Sequence, residues 1–207
     1  MLTDDAFVRL VQSRLGVTAD GQAGPKTLAA LDRRLPPVQP AAIGLRRIIW
    51  HWTAGTHVVS QTDRDHYHFV VGGDGSVVAG RHAPEANISA SDGSYAAHTR
   101  GANTGAIGVA VAAMYSATER PFQTGPFPIR ERQVESLIGL TADLCRRYGI
   151  PVTPETVLSH AEVQPTLGIA QAGKWDVSWL PGMNAPGDPV GVGNILRGRV
   201  LAHMKEG

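Results

Sequence analysis

Hydrophobic residues recur at helical spacing at the start of the chain. Asp4 and Asp5 suit the positively polarised start of a first helix, and Gly16 ends it. Pro25 stands where a second helix would begin. The apolar positions are Phe7, Leu10, Val11 and Leu15 in the first predicted helix and Leu28, Leu31 and Leu35 in the second. The pattern therefore predicts a small helical segment over residues 1–36, followed by a linker over residues 37–45.

Beyond the linker, the pattern changes to short apolar runs and one long amphipathic stretch. We predict strands at 46–52, 106–112 and 157–158, and a hairpin of 66–71 and 76–79 around the loop 72–75. From Glu131 to Tyr148 the apolar residues fall on one helical face, and Gly149 stops that helix. The glycine- and proline-rich stretch 181–193 is interpreted as a loop before a final short helix. Residues 46–207 are thus predicted to form one mixed α/β domain.

Composition narrows the class of protein. The chain has 207 residues and a single cysteine, which excludes an internal disulfide and a cysteine-rich zinc module. Its 19 basic and 18 acidic residues leave a net charge of +1 without basic runs, so we expect no nucleic-acid partner and no anionic membrane surface. No apolar stretch approaches the length that spans a bilayer, and the acidic, amphipathic start does not resemble a signal peptide. We expect a monomer without membrane insertion.

The histidines are the main candidates for chemistry. His51 and His160 each come at the end of a predicted buried strand, where a ligand is both rigidly held and reachable. A catalytic zinc needs three protein ligands and an open position, and Asp176, two residues after Lys174, offers the third. A rival metal site uses His66 and His68, which would point to the same face of a strand. Instead of binding a metal, His68 could be a hydrogen-bonded residue inside the sheet.

Five ordered blocks resemble one family. They are Ile48–Thr53 (IIWHWT), Tyr67–Arg81 with its Tyr-His-Phe and Ala-Gly-Arg, Ala97–Val109 with Asn103, Val157–Val163 (VLSHAEV) and Lys174–Asp176 (KWD). In this order and at this spacing they are similar to the zinc-dependent N-acetylmuramoyl-L-alanine amidases, whose fold is shared by the peptidoglycan recognition proteins. The small phage lysins are the most similar group. Separately, residues 3–35 resemble a short peptidoglycan-binding repeat, and the alternative is a helical cap on the main domain.

The resemblance implies a fold, a cofactor and a set of site residues. The fold would be a mixed central β-sheet flanked by helices. His51, His160 and Asp176 would bind one Zn²⁺ per chain, and Tyr67 and Lys174 would flank the reacting water. Zinc can activate water at neutral pH, and Lys174 would offset charge on the tetrahedral oxygen. Further possible substrate contacts are Thr53, His98 and Asn103. Alternatively, Thr53 and Asn103 could be turn residues, and His98 could contact a metal ligand rather than the substrate.

The chain departs from the family pattern at two places. Many relatives carry Glu in the strand after Ile-Gly, where this chain has Ala110. The family often has Asp-Pro-Gly where this chain has Asp176-Val177-Ser178. We keep Asp176 as the third ligand because the one alternative, Cys145, lies on the apolar face of the long predicted helix and is expected to pack in the core.

The resemblance implies a peptidoglycan hydrolase that cleaves the amide between N-acetylmuramic acid and the L-alanine of the stem peptide. Residues 1–36 would help it dock on the polymer. A wall-binding module without turnover is the alternative of a different class, and it would not need the full ligand set. A cytosolic amidase that recycles soluble muropeptides is a third possibility. Without a visible signal peptide, we expect a lysin that is made in the cytoplasm and acts on the wall after release by another protein.

Overall fold

The protein is described by a computed structural model over residues 4–22, 26–27 and 44–206. The chain divides into two compact units, residues 1–39 and residues 40–207. The first unit contains helix α1 (Asp4–Leu15), as its periodicity predicts. Inside this unit the buried amide of Gln12 donates to Asp20 Oδ1 at 2.7 Å and to Thr27 Oγ1 at 2.9 Å. Most of the second predicted helix and most of the predicted linker lie outside the described residues.

The second unit is built around one mixed five-stranded sheet. Its strands are β1 (Arg47–Trp52), β2 (Phe69–Val71), β3 (Val77–Ala79), β4 (Ala106–Val111) and β5 (Val157–Ser159). Their order in the sheet is β3-β2-β4-β1-β5. Only β2 and β3 pair antiparallel, and the remaining neighbours are parallel. Because β1 and β4 occupy the middle of a covered sheet, all but one of their residues are buried, which explains their nearly continuous apolar sequence.

Helices cover both faces of this sheet. They are α2 (Gln61–His66), α3 (Glu131–Tyr148), α4 (His160–Leu167) and α5 (Pro189–Glu206), with a short 3₁₀ helix at Pro84–Ile88. Trp50 and Ile48 belong to the core cluster that includes Leu137 of α3 and Leu196 of α5. Ile49 packs on the opposite side with Val163 of α4. The alternation of side chains along β1 therefore directs Trp50 to one core and His51 to the other side.

The predicted fold class, a mixed sheet flanked by helices, is confirmed. The long helix matches its predicted bounds, since Gly149 ends it in the left-handed conformation at φ 63°. Cys145 is buried on that helix, as expected. Among the described residues, no helix is both long and apolar enough to cross a membrane.

Two element predictions are wrong. Residues 61–66 form helix α2, so the hairpin strand begins at Phe69 rather than at His66. Ser60 and Asp63 cap α2 reciprocally, a local signal that outweighs the apolar pattern. The final helix is also not short, because α5 has 18 residues and begins at Pro189. The glycines of this segment led to the prediction of a loop. In the structure a Cβ at Gly193 would overlap the Glu162 carboxylate, so glycine at this position allows α5 to pack closely on α4.

Candidate metal centre

His51 and His160 come together because their strands are parallel neighbours. His51 lies near the end of β1, and β5 pairs with β1 in a register that aligns Ser159 with Trp50. His160 follows directly as the first residue of α4. The carboxyl ends of adjacent parallel strands meet at one edge of the sheet. The chain thus places two imidazoles side by side, with ring centroids 4.7 Å apart.

Asp176 reaches the same point from the loop after α4. Trp175 packs edge-on against Trp52 of β1, with ring centroids 4.5 Å apart, and this contact anchors the loop on the sheet. Asp176 Oδ2 then lies 3.5 Å from His51 Nδ1 and 3.4 Å from His160 Nδ1. One ligand atom from each residue falls within 4.8 Å of the others.

The start of α4 is fixed by a buried ion pair. The Glu162 carboxylate accepts a hydrogen bond from the backbone N–H of Ser159 at 2.7 Å. Its other oxygen lies 2.8 Å from Arg197 Nη1 of α5, and both side chains are buried. Arg197 also donates to the carbonyl of Val157 in β5 at 2.9 Å. Glu162 and Arg197 therefore connect β5, the start of α4 and helix α5 beside Ser159, the residue that precedes His160.

The two distances from Asp176 to the histidines suit a tetrahedral zinc ion. Four ligands at the usual Zn–N and Zn–O distances lie about 3.3 Å apart when they are tetrahedral. The two nitrogen–oxygen distances of 3.5 Å and 3.4 Å match that spacing. His51 Nδ1 is fully buried and has no hydrogen-bond partner among the described residues, which is costly unless a cation takes its lone pair. His51, His160 and Asp176 could therefore hold one metal ion.

The protonation states also suit a metal site. Burial lowers the pKa of His51 to about 4, so the imidazole is neutral near pH 7. Burial by itself would raise the pKa of Asp176, but the contacts with His160 and His51 outweigh it and hold that pKa well below its usual value. Neutral imidazole and ionised carboxylate are the forms that bind zinc.

Tyr67 and Lys174 lie at the same pocket, which has a volume of about 310 Å³. The Tyr67 ring centroid is 5.1 Å from that of His51. Burial, reinforced by Asp176, raises the pKa of the Tyr67 hydroxyl further above its ordinary value, so it stays protonated at neutral pH. Lys174 is exposed at the rim. A Cβ at Gly80 would overlap the backbone of Tyr67, which gives the Ala-Gly-Arg motif a structural reason.

The three predicted substrate contacts have different surroundings. Thr53 lines the pocket, and its Oγ1 also accepts a hydrogen bond from the Gly55 N–H at 3.0 Å. His98 lines the pocket as well but is buried against His51, with His98 Nδ1 3.2 Å from His51 Nε2. Asn103 Oδ1 accepts hydrogen bonds from the backbone N–H groups of His98 and Thr99 at 3.1 Å and 2.8 Å. The Asn103 side chain thus holds the turn that carries His98.

The rival site of His66 and His68 is wrong. His66 ends helix α2, is exposed, and has its Nδ1 2.8 Å from the carbonyl oxygen of Thr62. His68 is buried, and both of its ring nitrogens have partners, Asn87 Oδ1 at 2.9 Å and the Gly108 N–H at 2.9 Å. The two side chains do not share a strand face. Over the described ranges, the one group of three or more potential ligands is His51, His160 and Asp176.

Sequence reasoning missed two residues beside the ligands. Gln171 Oε1 lies 2.8 Å from His160 Nε2, and Thr99 Oγ1 lies 3.3 Å from His51 Nε2. Neither belongs to a periodic pattern or to a recognisable motif. A groove of about 760 Å³ adjoins the centre, lined by His98, Arg100, Gly101, His160, Ile169, Gln171 and Lys174 among others. Its size lies in the range of small-molecule sites.

Fold and site together define a class, a mixed α/β domain with a buried His-His-Asp group, able to hold a metal ion, at the carboxyl ends of its central strands. The sequence model of the N-acetylmuramoyl-L-alanine amidase family matches residues 41–182, which is more than half of the chain. The chain belongs to this family, and the recognition made from its motifs is confirmed. No curated protein matches the chain significantly.

Three solved structures are similar to this chain. The N-acetylmuramoyl-L-alanine amidase LysC from Clostridium intestinale URNW is 19% identical, with 74% of this chain and 88% of that chain covered and a TM-score of 0.42. The ectodomain complex of peptidoglycan recognition proteins LCa and LCx with tracheal cytotoxin is 23% identical, with coverage of 61% and 75% and a TM-score of 0.40. The amidase AmiD from E. coli, in complex with anhydro-N-acetylmuramic acid-L-Ala-D-gamma-Glu-L-Lys, is 21% identical, with coverage of 62% and 52% and a TM-score of 0.44.

Proposed function

We propose that this chain is a zinc-dependent peptidoglycan amidase that cleaves the bond between N-acetylmuramic acid and the L-alanine of the stem peptide. The observation that carries the proposal is the buried donor set, in which His51 Nδ1 and His160 Nδ1 lie 3.5 Å and 3.4 Å from Asp176 Oδ2. A pure binding module has no use for three buried ligands around an unpaired ring nitrogen. The zinc dependence and the residue roles below are part of this proposal.

His51, His160 and Asp176 would hold the ion. Bound there, Zn²⁺ would supply an activated water and a Lewis acid for the scissile carbonyl. The pocket at this centre is lined by Tyr67 and Lys174, so the reacting amide would meet both side chains. Hydrolysis adds water at the carbonyl carbon, breaks the C–N bond and leaves the amine of L-alanine with an additional proton.

Lys174 and Tyr67 have separate tasks. The Lys174 ammonium at the rim would stabilise negative charge as it develops on the carbonyl oxygen. Tyr67 keeps its proton because burial raises the pKa of its hydroxyl, so it would donate a hydrogen bond and orient the reactants rather than act as a base. The adjoining groove, which reaches past His160 to Ile169 and Arg100, would take the stem peptide.

The biological setting forms the second part of the proposal. The chain would act on the cell wall as a lysin after release from the cytoplasm, with residues 1–36 docking it on the polymer. A recycling amidase would instead prefer soluble fragments. Activity on intact sacculi compared with activity on soluble muropeptides separates these two roles.

The test is digestion of purified peptidoglycan after chelation and after readdition of zinc, with products identified by mass spectrometry. We expect zinc-dependent release of stem peptides with a free L-alanine amino group and no new reducing sugar ends. Asp176→Asn should abolish release by removing a charged ligand. Asp143→Asn makes the same chemical change at an exposed carboxylate of α3 and should leave release unchanged. Binding to the wall without cleavage, or cleavage that survives chelation, would contradict the proposal.

A further inference from the structure

A histidine binds a metal through the ring nitrogen that carries no proton, and the partner of the other nitrogen decides which one that is. At this centre both histidines turn Nδ1 toward Asp176. Metal binding therefore requires that both carry their proton on Nε2. The residues behind the two rings determine whether this is the stable form.

The partner of His160 is Gln171, a buried residue of the loop after α4. Gln171 Oε1 lies 2.8 Å from His160 Nε2. A glutamine amide could present either its oxygen or its NH₂ group here. However, the Gln171 NH₂ group donates to the carbonyl oxygen of Arg100 at 2.9 Å and to that of Ile169 at 3.4 Å. Carbonyl oxygens only accept, so the amide oxygen faces His160 and requires a proton on Nε2.

The Gln171 amide is itself held in place. Its backbone N–H donates to Gln164 Oε1 of α4 at 3.0 Å, and the residue is 7% exposed. The amide therefore cannot rotate without losing two backbone partners. A rigid acceptor of this kind has a strong influence on the ring that it faces.

His51 is supported differently, by two acceptors. His98 Nε2 lies 3.4 Å from the Ala106 carbonyl oxygen, which requires the His98 proton on Nε2 and leaves His98 Nδ1 as an acceptor. His51 Nε2 lies 3.2 Å from that nitrogen and 3.3 Å from Thr99 Oγ1. The His98 Nδ1 lone pair keeps the proton of His51 on Nε2. The Thr99 hydroxyl lies 2.9 Å from the same lone pair and donates to it, so its oxygen is left to accept from His51. Glycine at 108 allows this arrangement, because a Cβ there would overlap the His98 ring.

We propose that Gln171 is the positioning residue that holds His160 in its metal-binding tautomer, with the proton on Nε2 and the Nδ1 lone pair directed to the ion. The inference deepens the proposed zinc site and rests on it. It also predicts an asymmetry. His160 depends on one side-chain acceptor, whereas His51 has two, so loss of Gln171 weakens the centre more than loss of either acceptor behind His51.

The test compares zinc dissociation constants, measured by competition with a chromophoric chelator, for the full chain and three variants. Gln171→Met removes the acceptor and should weaken zinc binding by about 10- to 100-fold. Gln171→Glu keeps an acceptor for His160 but loses the two bonds to Arg100 and Ile169, and it should bind zinc within a few-fold of the wild type. Thr99→Val, a nearly isosteric change, leaves His98 as the second acceptor and should cost less than Gln171→Met.

The Gln171→Glu variant separates positioning of the ring from support of the loop. If Gln171 mattered only by holding the loop, Gln171→Glu and Gln171→Met would weaken binding equally, and the inference would be wrong. Equal affinities of wild type and Gln171→Met would also overturn it. Failure of the wild type to bind zinc would instead refute the proposed metal centre.

The ligating nitrogen can be read in the zinc-loaded wild type, so this measurement needs no variant that folds. Nitrogen-15 NMR distinguishes a metal-bound ring nitrogen from a protonated one. We expect metal-bound Nδ1 and protonated Nε2 for His160. Zinc on Nε2 of His160, or an unprotonated Nε2, would overturn the inference.

Discussion

Ala110 lies beside His51 in the sheet, and it has no group for acid or base chemistry. The two residues pair across β1 and β4. Ala110 is buried in a small cluster with Val70 and Ala112, against which Tyr67 packs. Many relatives carry Glu in this strand, whereas here a methyl group leaves room for the tyrosine ring. In the proposed reaction, orientation of the reactants would therefore fall to Tyr67 rather than to a carboxylate from β4.

Replacement of that tyrosine tests its role. Tyr67→Phe removes one hydroxyl hydrogen bond, worth about 1 kcal/mol, so we expect kcat to fall by about fivefold with unchanged zinc affinity. The measurement is steady-state turnover of a muramoyl-peptide together with zinc titration. Tyr148→Phe is the control, because its hydroxyl donates to Glu85 Oε1 at 2.7 Å and takes no part in the pocket. Full turnover by Tyr67→Phe would remove this residue from the mechanism.

Some site residues could be predicted from sequence because a strand or motif carries them. His51 and His160 each come at the end of a buried apolar run, which makes them candidate ligands, and the family resemblance joins them with Asp176. Gln171 and Thr99 lie in irregular loops, and each reaches its histidine only through tertiary contacts, at 11 residues' separation for Gln171 and 48 for Thr99. A periodic sequence pattern carries no information about such tertiary contacts, so Gln171 and Thr99 could not be predicted.

At the scale of elements, the loop between α4 and α5 has an unusual backbone. Ala172 and Val177 adopt left-handed conformations at φ 51° and 64°, on either side of Lys174 and Asp176. Val177 is a β-branched residue and is buried at 1% exposure. A left-handed conformation costs a residue other than glycine on the order of 1–2 kcal/mol. The loop therefore holds Asp176, the proposed metal ligand, in place at the expense of local stability, as functional loops often do.

Ala172 allows this strain to be measured, because its side chain is exposed. Ala172→Gly should raise the free energy of unfolding by about 0.5 to 1 kcal/mol, since relief of the strain exceeds the entropy that glycine adds to the unfolded chain. Ala170→Gly lies in the same loop without a positive φ and should instead lower that free energy by a similar amount. Chemical denaturation gives both values. Destabilisation by Ala172→Gly would show that the loop is not strained at this residue.

Elements with strong periodicity and a clear end could be predicted, and elements determined by packing could not. The apolar face of helix α3 and the Gly149 that ends it can both be recognised from the sequence. Helix α5 contains Gly191, Gly193 and Gly198, which locally disfavour a helix. It forms because Gly193 lets it approach Glu162 closely and because Arg197 reaches β5. Tertiary packing thus overrides propensity in this helix.

At the scale of the whole molecule, the two compact units allow their contributions to be separated. Every predicted site residue lies in the unit of residues 40–207. A chain without residues 1–39 should therefore keep zinc binding and turnover of a soluble muramoyl-peptide, while its sedimentation with intact sacculi should decrease. Loss of turnover on the soluble substrate would show that the first unit takes part in catalysis. Unchanged sedimentation would refute its docking role.

The candidate centre has two buried histidines and a buried aspartate, so its donors are only nitrogen and oxygen atoms. The chain's single thiol, Cys145, is buried within the core on α3. Oxidants convert accessible thiolates to sulfenic and then sulfinic acids, and they disable metal sites built on cysteine. Imidazole and carboxylate do not take part in that chemistry. A zinc ion held by this proposed ligand set would therefore persist under oxidising conditions in which a thiolate-ligated zinc would be lost.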